Sequence, residues 1–240
     1  LGSLLNDRPE IAGAAHSLLA RILWESESPD ATVGATPCGC PIHRAATRGR
    51  PYDAIEDHRQ KAEALLPKTA EAYFLQAMFA ITIKEQLASL DEALRLDPQH
   101  YESRRLRAYT YYASRKYDKM REEALVMAVS RPRDPLGYSL RAIALRELGK
   151  YEEAIAEYDN AIARTAKGSP QYIELATQRC ETLLRMGDYE RVIADAQECS
   201  KLAPDKPVFQ YYTFSALTAL GEYEKADAVF REIVRRTPTP

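Results

Sequence analysis

The sequence predicts an all-α fold in which amphipathic helices pair into antiparallel hairpins and the hairpins stack along the chain. Helix-forming Ala, Leu, Glu and Arg dominate the composition, while apolar runs suited to strands are nearly absent. A helix–turn–helix joint also returns at a nearly constant interval. With 240 residues, the chain is long enough for one large or two ordinary domains.

The repeated helix–turn–helix joint is the clearest evidence for this fold class. It is written LGKYEEA, MGDYERV and LGEYEKA at residues 148–154, 186–192 and 220–226. Together with SRKYDKM, the joints place tyrosines 34, 38 and 34 residues apart, at Tyr117, Tyr151, Tyr189 and Tyr223. The longer interval contains AKGSP, which accommodates a loop insertion. A period near 34 built from paired helices is typical of a helical solenoid.

The residues of the joint have physical roles. Gly149, Gly187 and Gly221 can adopt the left-handed backbone conformation that ends a helix. Acidic residues follow each tyrosine and complement the dipole at the start of the next helix. Small residues such as Ala154 and Ala226 let the two helices approach closely.

The clearest copy of the repeat carries its pattern at Tyr138, Arg141, Ala142, Leu145, Ala154, Tyr158 and Ala161. This spacing resembles the tetratricopeptide repeat family, whose pattern is W-x2-L-G-x2-Y…A-x3-F…P. The resemblance implies a right-handed superhelical solenoid of five to six repeats that serves as a protein-interaction scaffold.

The front of the chain is a weaker copy. Residues 1–66 are interpreted as a degenerate N-terminal repeat, with helices at 14–24 and 51–67 and an inserted loop at about 26–50. Residues 67–240 form the tandem solenoid. Its repeats are predicted at about 70–98, 101–132, 135–166, 173–204 and 207–238.

In this family the first helices line a concave groove that binds peptides or protein segments. Applied to this sequence, the register predicts that the groove presents Arg105, Tyr109, Tyr112, Ser139, Ile143, Arg146, Gln178, Glu181, Arg185, Tyr211 and Tyr212. Tyr and Arg are frequent at binding hot spots. The alternative, that some of these tyrosines fill gaps between hairpins, stays open. The groove lacks the asparagines of the family's carboxylate clamp, which argues against binding the C-termini of heat-shock chaperones.

One cluster has the chemistry of a minor metal or thiol site. Cys38, Cys40 and His43 offer thiolate and imidazole ligands, but tetrahedral zinc requires four ligands, usually starting from C-x2-C. Cys180 and Cys199 occupy slots for small residues and are interpreted as core. No catalytic motif is present, so we expect neither an enzyme nor a cofactor.

The composition argues against nucleic acid and anionic membranes as partners. The formal net charge of −2 gives no bulk attraction to nucleic acid or to an anionic membrane. Arg107, Arg141 and Arg179 recur at one repeat position, where a packed stem and a hydrated head suit a structural role. The few cysteines and the lack of a signal-peptide pattern favour the cytoplasm.

The sequence therefore predicts a non-catalytic scaffold that binds a protein segment in its groove. One alternative is the regulatory portion of a larger bacterial signalling protein whose catalytic or propeller domain lies outside this chain. Another is the cysteine–histidine site. The missing starting Met and the lack of a capping helix after Pro238 favour a piece of a longer protein. We expect a monomer, or a weak dimer through the uncapped solenoid end.

Overall fold

A computed structural model describes residues 34–35, 41–42 and 68–236. The ten helices in these ranges are α1 Ala70–Met78, α2 Ile83–Leu96, α3 Tyr101–Ala113, α4 Tyr117–Ser130, α5 Pro135–Glu147, α6 Tyr151–Ile162, α7 Pro170–Met186, α8 Tyr189–Leu202, α9 Val208–Ala219 and α10 Tyr223–Arg236. The predicted domain boundary after residue 66 and the predicted helices at 14–24 and 51–67 lie outside the described residues.

Two short strands lie within the segment predicted as an inserted loop. β1 (Gly34–Ala35) pairs antiparallel with β2 (Pro41–Ile42), with Gly34 opposite Ile42 and Ala35 opposite Pro41. The sequence predicts no strand there, because a two-residue strand is too short to show an alternating pattern.

The chain divides into two compact units, Leu1–Lys116 and Tyr117–Pro240. In the first unit, α1 packs on α2 and α2 on α3, around a core of Ala77, Leu90 and Leu106. In the second unit each helix from α4 to α10 packs on the next, and α7 also packs on α9. This sequential packing is the arrangement expected for a stack of antiparallel hairpins.

Side-chain caps start most of the helices. Thr82 and Glu85 form a reciprocal capping box at α2, and Asp134 and Ser169 cap α5 and α7 ahead of a proline at the first helical position. His100 caps α3, since its Nδ1 accepts a hydrogen bond from the Ser103 N–H. Each of these side chains therefore gives a partner to one of the backbone N–H groups that the helix itself leaves unbonded.

The repeated joint is one hydrogen-bonded motif used four times. In each copy a backbone N–H bonds the carbonyl five residues earlier, as Lys150 does to Leu145 and Asp188 does to Leu183. This is the Schellman arrangement, which requires a left-handed residue after the helix. Gly149, Gly187 and Gly221 supply it with φ of 75°, 87° and 75°. The first joint uses Arg115 instead, at φ 56°.

Helices α4 and α5 approach each other closely at Gly137. A Cβ added at Gly137 would sit 2.5 Å from the backbone nitrogen of Ala128 and 2.8 Å from its Cα. The predicted small contacts Ala154 and Ala226 are also buried. Small residues therefore set the separation of neighbouring helices in this unit.

Candidate functional site

Three predicted groove residues meet in the second unit. The Arg146 side chain of α5 reaches Glu181 of α7, with Nη1 3.2 Å from Oε2. It also contacts its neighbour Glu147, with Nη2 3.1 Å from Oε1. Arg185 of α7 contacts the same two acids, at 2.8 Å from Glu181 and 3.4 Å from Glu147. We call these four side chains the groove ion network. Glu147 is its one member that sequence reasoning missed.

Burial falls steadily across the groove ion network. The exposed fraction of the side chain rises from 9% at Arg146 through 20% at Glu147 to 38% at Glu181 and 42% at Arg185. Burial lowers the pKa of Arg146, but Tyr158, Glu181 and Glu147 together outweigh it, so the pKa is raised overall. Arg146 is therefore a fixed, charged anchor, while Arg185 is the solvent-facing member.

Tyr158 of α6 lies beneath the groove ion network and is fully buried. Its polar neighbour is Thr182, whose hydroxyl donates to the Gln178 carbonyl at 2.8 Å and can still accept a hydrogen bond from the Tyr158 hydroxyl. Burial raises the pKa of Tyr158, opposed by Arg146, so the hydroxyl stays protonated. A neutral, buried hydroxyl thus lies close to the Arg146 cation.

The remaining predicted residues of the second unit divide into accessible and packed ones. Tyr211 is 47% exposed on α9. Tyr212 is half-buried against two core clusters, and burial, followed by Glu181, raises its pKa. Ile143 packs on the cluster around Tyr158, and the Ser139 hydroxyl donates to the Leu136 carbonyl. Tyr212 therefore fills a gap between hairpins, whereas Tyr211 is accessible to a partner.

Gln178 of α7 has an unsatisfied acceptor. Its Oε1 is buried and has no hydrogen-bond partner, while its Nε2 lies 3.5 Å from the exposed Glu174. Because Glu174, Gln178 and Glu181 are four and three residues apart, they lie on one face of the helix.

In the first unit, the predicted residues lie along one face of α3. Arg105 is exposed and pairs with Glu102 one turn earlier, at 2.6 Å. Tyr109 and Tyr112 are half-buried, and both interact with other groups of the chain.

The three arginines that recur at one repeat position each form ion pairs with a neighbouring helix. Arg107 pairs with Asp91 of α2 at 2.7 Å, and Arg141 pairs with Glu157 of α6 at 3.0 Å. Arg179 contacts Asp159 of α6 and, at 2.9 Å, Asp195 of α8. These contacts agree with the structural role predicted for the three positions.

The cysteine–histidine candidates Cys38, Cys40 and His43 lie outside the described residues. Among the residues that are described, no group of three or more His, Cys, Asp or Glu side chains is arranged to hold a metal ion. Cys180 and Cys199 are buried free thiols, as predicted for core residues. Burial raises their pKa values to about 12 and about 11.

Within the described helices, none is long and apolar enough to cross a bilayer.

Comparison with known proteins agrees with the geometry. Residues 121–171 match the family model described as tetratricopeptide repeat. The predicted resemblance to the tetratricopeptide repeat family is confirmed over these residues. Human tetratricopeptide repeat protein 28 is 25% identical over 119 residues, which are 50% of this chain and 5% of the human protein. Its mouse counterpart is 24% identical over the same length. The chain therefore spans a small fraction of these tetratricopeptide relatives.

Solved structures share the fold at low identity. The structure of Naa15/Naa10 bound to HypK-THB matches with a TM-score of 0.58 and 18% identity, over 99% of this chain and 33% of that one. Yeast Tom70 matches with a TM-score of 0.51 and 16% identity, over 79% of this chain and 47% of that one. The predicted fold class, an all-α tetratricopeptide solenoid of helix hairpins, is confirmed.

Proposed function

We propose that this chain is a non-catalytic scaffold that binds a peptide or protein segment on the face formed by α5, α7 and α9 of the second unit. We call this face the binding face. The groove ion network carries the proposal, because three residues predicted from the repeat register come together there in one partly buried cluster. Exposed Tyr211 adds a large amphipathic ring on α9.

The tetratricopeptide fold supports a role in protein interaction in general. A stack of hairpins builds extended surface and no enclosed reaction cleft. Arg and Tyr are the residues from which interfaces draw much of their binding energy. On the first unit, we propose that Arg105, Tyr109 and Tyr112 of α3 contact a partner in the same way.

The wider setting of the chain is also a proposal. We propose a regulatory role within a larger signalling protein, acting in the cytoplasm; the 119 matched residues cover only 5% of the human relative's length. For oligomeric state we propose a monomer that dimerises weakly through α10. That helix exposes Tyr223, Phe230 and Val234, which form an apolar surface available to a second copy.

Panning a displayed library of short random peptides against the full chain tests the proposed binding. Enriched peptides would be titrated by fluorescence anisotropy against the wild type, Tyr211→Ala and Tyr223→Ala. We expect Tyr211→Ala to weaken binding at least about tenfold, as for a hot-spot aromatic, and Tyr223→Ala to bind like the wild type. The control is matched because both tyrosines are exposed, one on the binding face and one on α10.

Two results would contradict the proposal. One is that no peptide is enriched above the library background. The other is that every enriched peptide binds Tyr211→Ala as tightly as the wild type.

A further inference from the structure

We propose that the segment bound by this chain presents a basic side chain, Arg or Lys, which takes the place of Arg185 beside Glu147 and Glu181. The inference rests on the proposed binding face and specifies the chemistry of its partner. In the free protein, Arg185 stands where the partner's cation would bind.

The two carboxylates are held in place by a residue that a partner cannot displace. Arg146 is buried, and its guanidinium bonds both Glu147 and Glu181. Removing either acid would leave a buried charge with reduced compensation, which is strongly unfavourable. Glu147 and Glu181 are therefore a fixed pair of acceptors.

The two carboxylates of Glu147 and Glu181 carry more charge than the one buried guanidinium of Arg146, so a second cation is needed to neutralise them. Arg185 supplies it from the solvent side, with Nη2 2.8 Å from Glu181 and Nη1 at a long 3.4 Å from Glu147. Its side chain is 42% exposed, so its pairing is the kind that contributes little to stability. Arg185 can move into water at low cost when another cation arrives.

The surrounding groups favour a donor-rich ligand. Along one face of α7, Glu174 is exposed, Gln178 has a buried Oε1 without a donor, and Glu181 belongs to the network. A buried acceptor without a hydrogen bond is unfavourable, and a guanidinium or ammonium group can satisfy it. An acidic ligand would instead approach Glu174 and Glu181, and would draw Arg185 away from its carboxylates.

Sequencing the peptides enriched by the display experiment tests the charge. We expect Lys and Arg to be enriched over the input library, and Asp and Glu to be depleted. Raising the salt concentration should weaken the binding of these peptides, because partly exposed ion pairs are screened.

Three variants then separate the roles of the charges. Arg185→Gln removes the internal competitor, so we expect it to bind basic peptides several-fold more tightly than the wild type. Glu181→Gln removes one of the two acceptors, and we expect at least about tenfold weaker binding. Glu174→Gln, at an exposed position outside the network, should weaken binding by a smaller factor and keeps the test valid if Glu181→Gln does not fold.

The outcomes are distinguishable. Enriched peptides that are acidic, or binding that is lost in Arg185→Gln, would overturn the basic-ligand inference and leave the proposed binding face intact. If no peptide depends on Tyr211, both the inference and the proposed function fail.

Discussion

Replacing Gly137 with Ala should destabilise the protein, although alanine is the better helix former. Gly137 lies in α5 where that helix meets α4. An added Cβ would be 2.5 Å from the backbone nitrogen of Ala128 and 2.8 Å from its Cα. Both are main-chain atoms of α4, so no side chain can rotate to make room. The two helices would have to separate.

Two opposing effects set the magnitude. Gly→Ala in a helix interior stabilises by about 1 kcal/mol. That gain is smaller at Gly137, which is the third residue of α5. Forcing an extra carbon into a close-packed contact typically costs about 1–3 kcal/mol. Because the opposing atoms belong to the backbone, we expect the upper part of that range and, after a propensity gain of less than about 1 kcal/mol, a net loss of about 2 kcal/mol in the free energy of unfolding.

Urea unfolding followed by far-ultraviolet circular dichroism measures the loss directly. Ala156→Gly, at an exposed position of α6, calibrates the propensity difference within the same protein. It should lose about 1 kcal/mol. If Gly137→Ala is as stable as the wild type or more so, α4 and α5 do not approach as closely as the structure shows.

Three further predictions concern stability. Arg115→Gly should stabilise the protein by about 1 kcal/mol in urea unfolding, because φ at Arg115 is 56° and glycine adopts this region without strain; a loss of stability would contradict the left-handed assignment. His100→Ala should cost about 1–2 kcal/mol by removing the cap of α3, whereas His100→Asn should lose less because Asn can also cap; equal losses would refute the capping role. Stability should fall as pH rises above about 9, because the thiols of Cys180 and Cys199 have ordinary pKa values of 9.0 that burial raises to about 12 and about 11. The unfolded chain then releases these protons first. A Cys180→Ala/Cys199→Ala variant with an unchanged pH slope would exclude the thiols as the cause.

The repeat could be predicted from the sequence because its joint has chemical requirements. The left-handed residue, the tyrosine and the acidic helix start recur at a nearly fixed period, so Gly149, Gly187 and Gly221 identify three joints. The fourth is recognisable by Tyr117 alone, since Arg115 occupies the glycine position in the left-handed conformation. Nothing in local propensity predicts that choice.

The groove ion network could be predicted only in part. The repeat register places Arg146, Glu181 and Arg185 on first helices, and these three residues come together. It does not select Glu147, because which acid reaches a neighbouring helix depends on helix rotation and rotamers. A spacing signal was present, since Arg146 and Glu147 precede Glu181 and Arg185 by about one repeat period. No spacing pattern in the sequence indicated the close contact at Gly137.

Hydrogen–deuterium exchange of the full chain, with and without a saturating enriched peptide, tests the central claim most directly. If the chain binds a protein segment on the binding face, exchange should slow in α5, α7 and the first turns of α9, around Arg146, Glu181 and Tyr211. Helix α10, which lies outside that face, should exchange at the same rate with and without peptide. Protection confined to other helices, or none at all under saturating conditions, would contradict the claim.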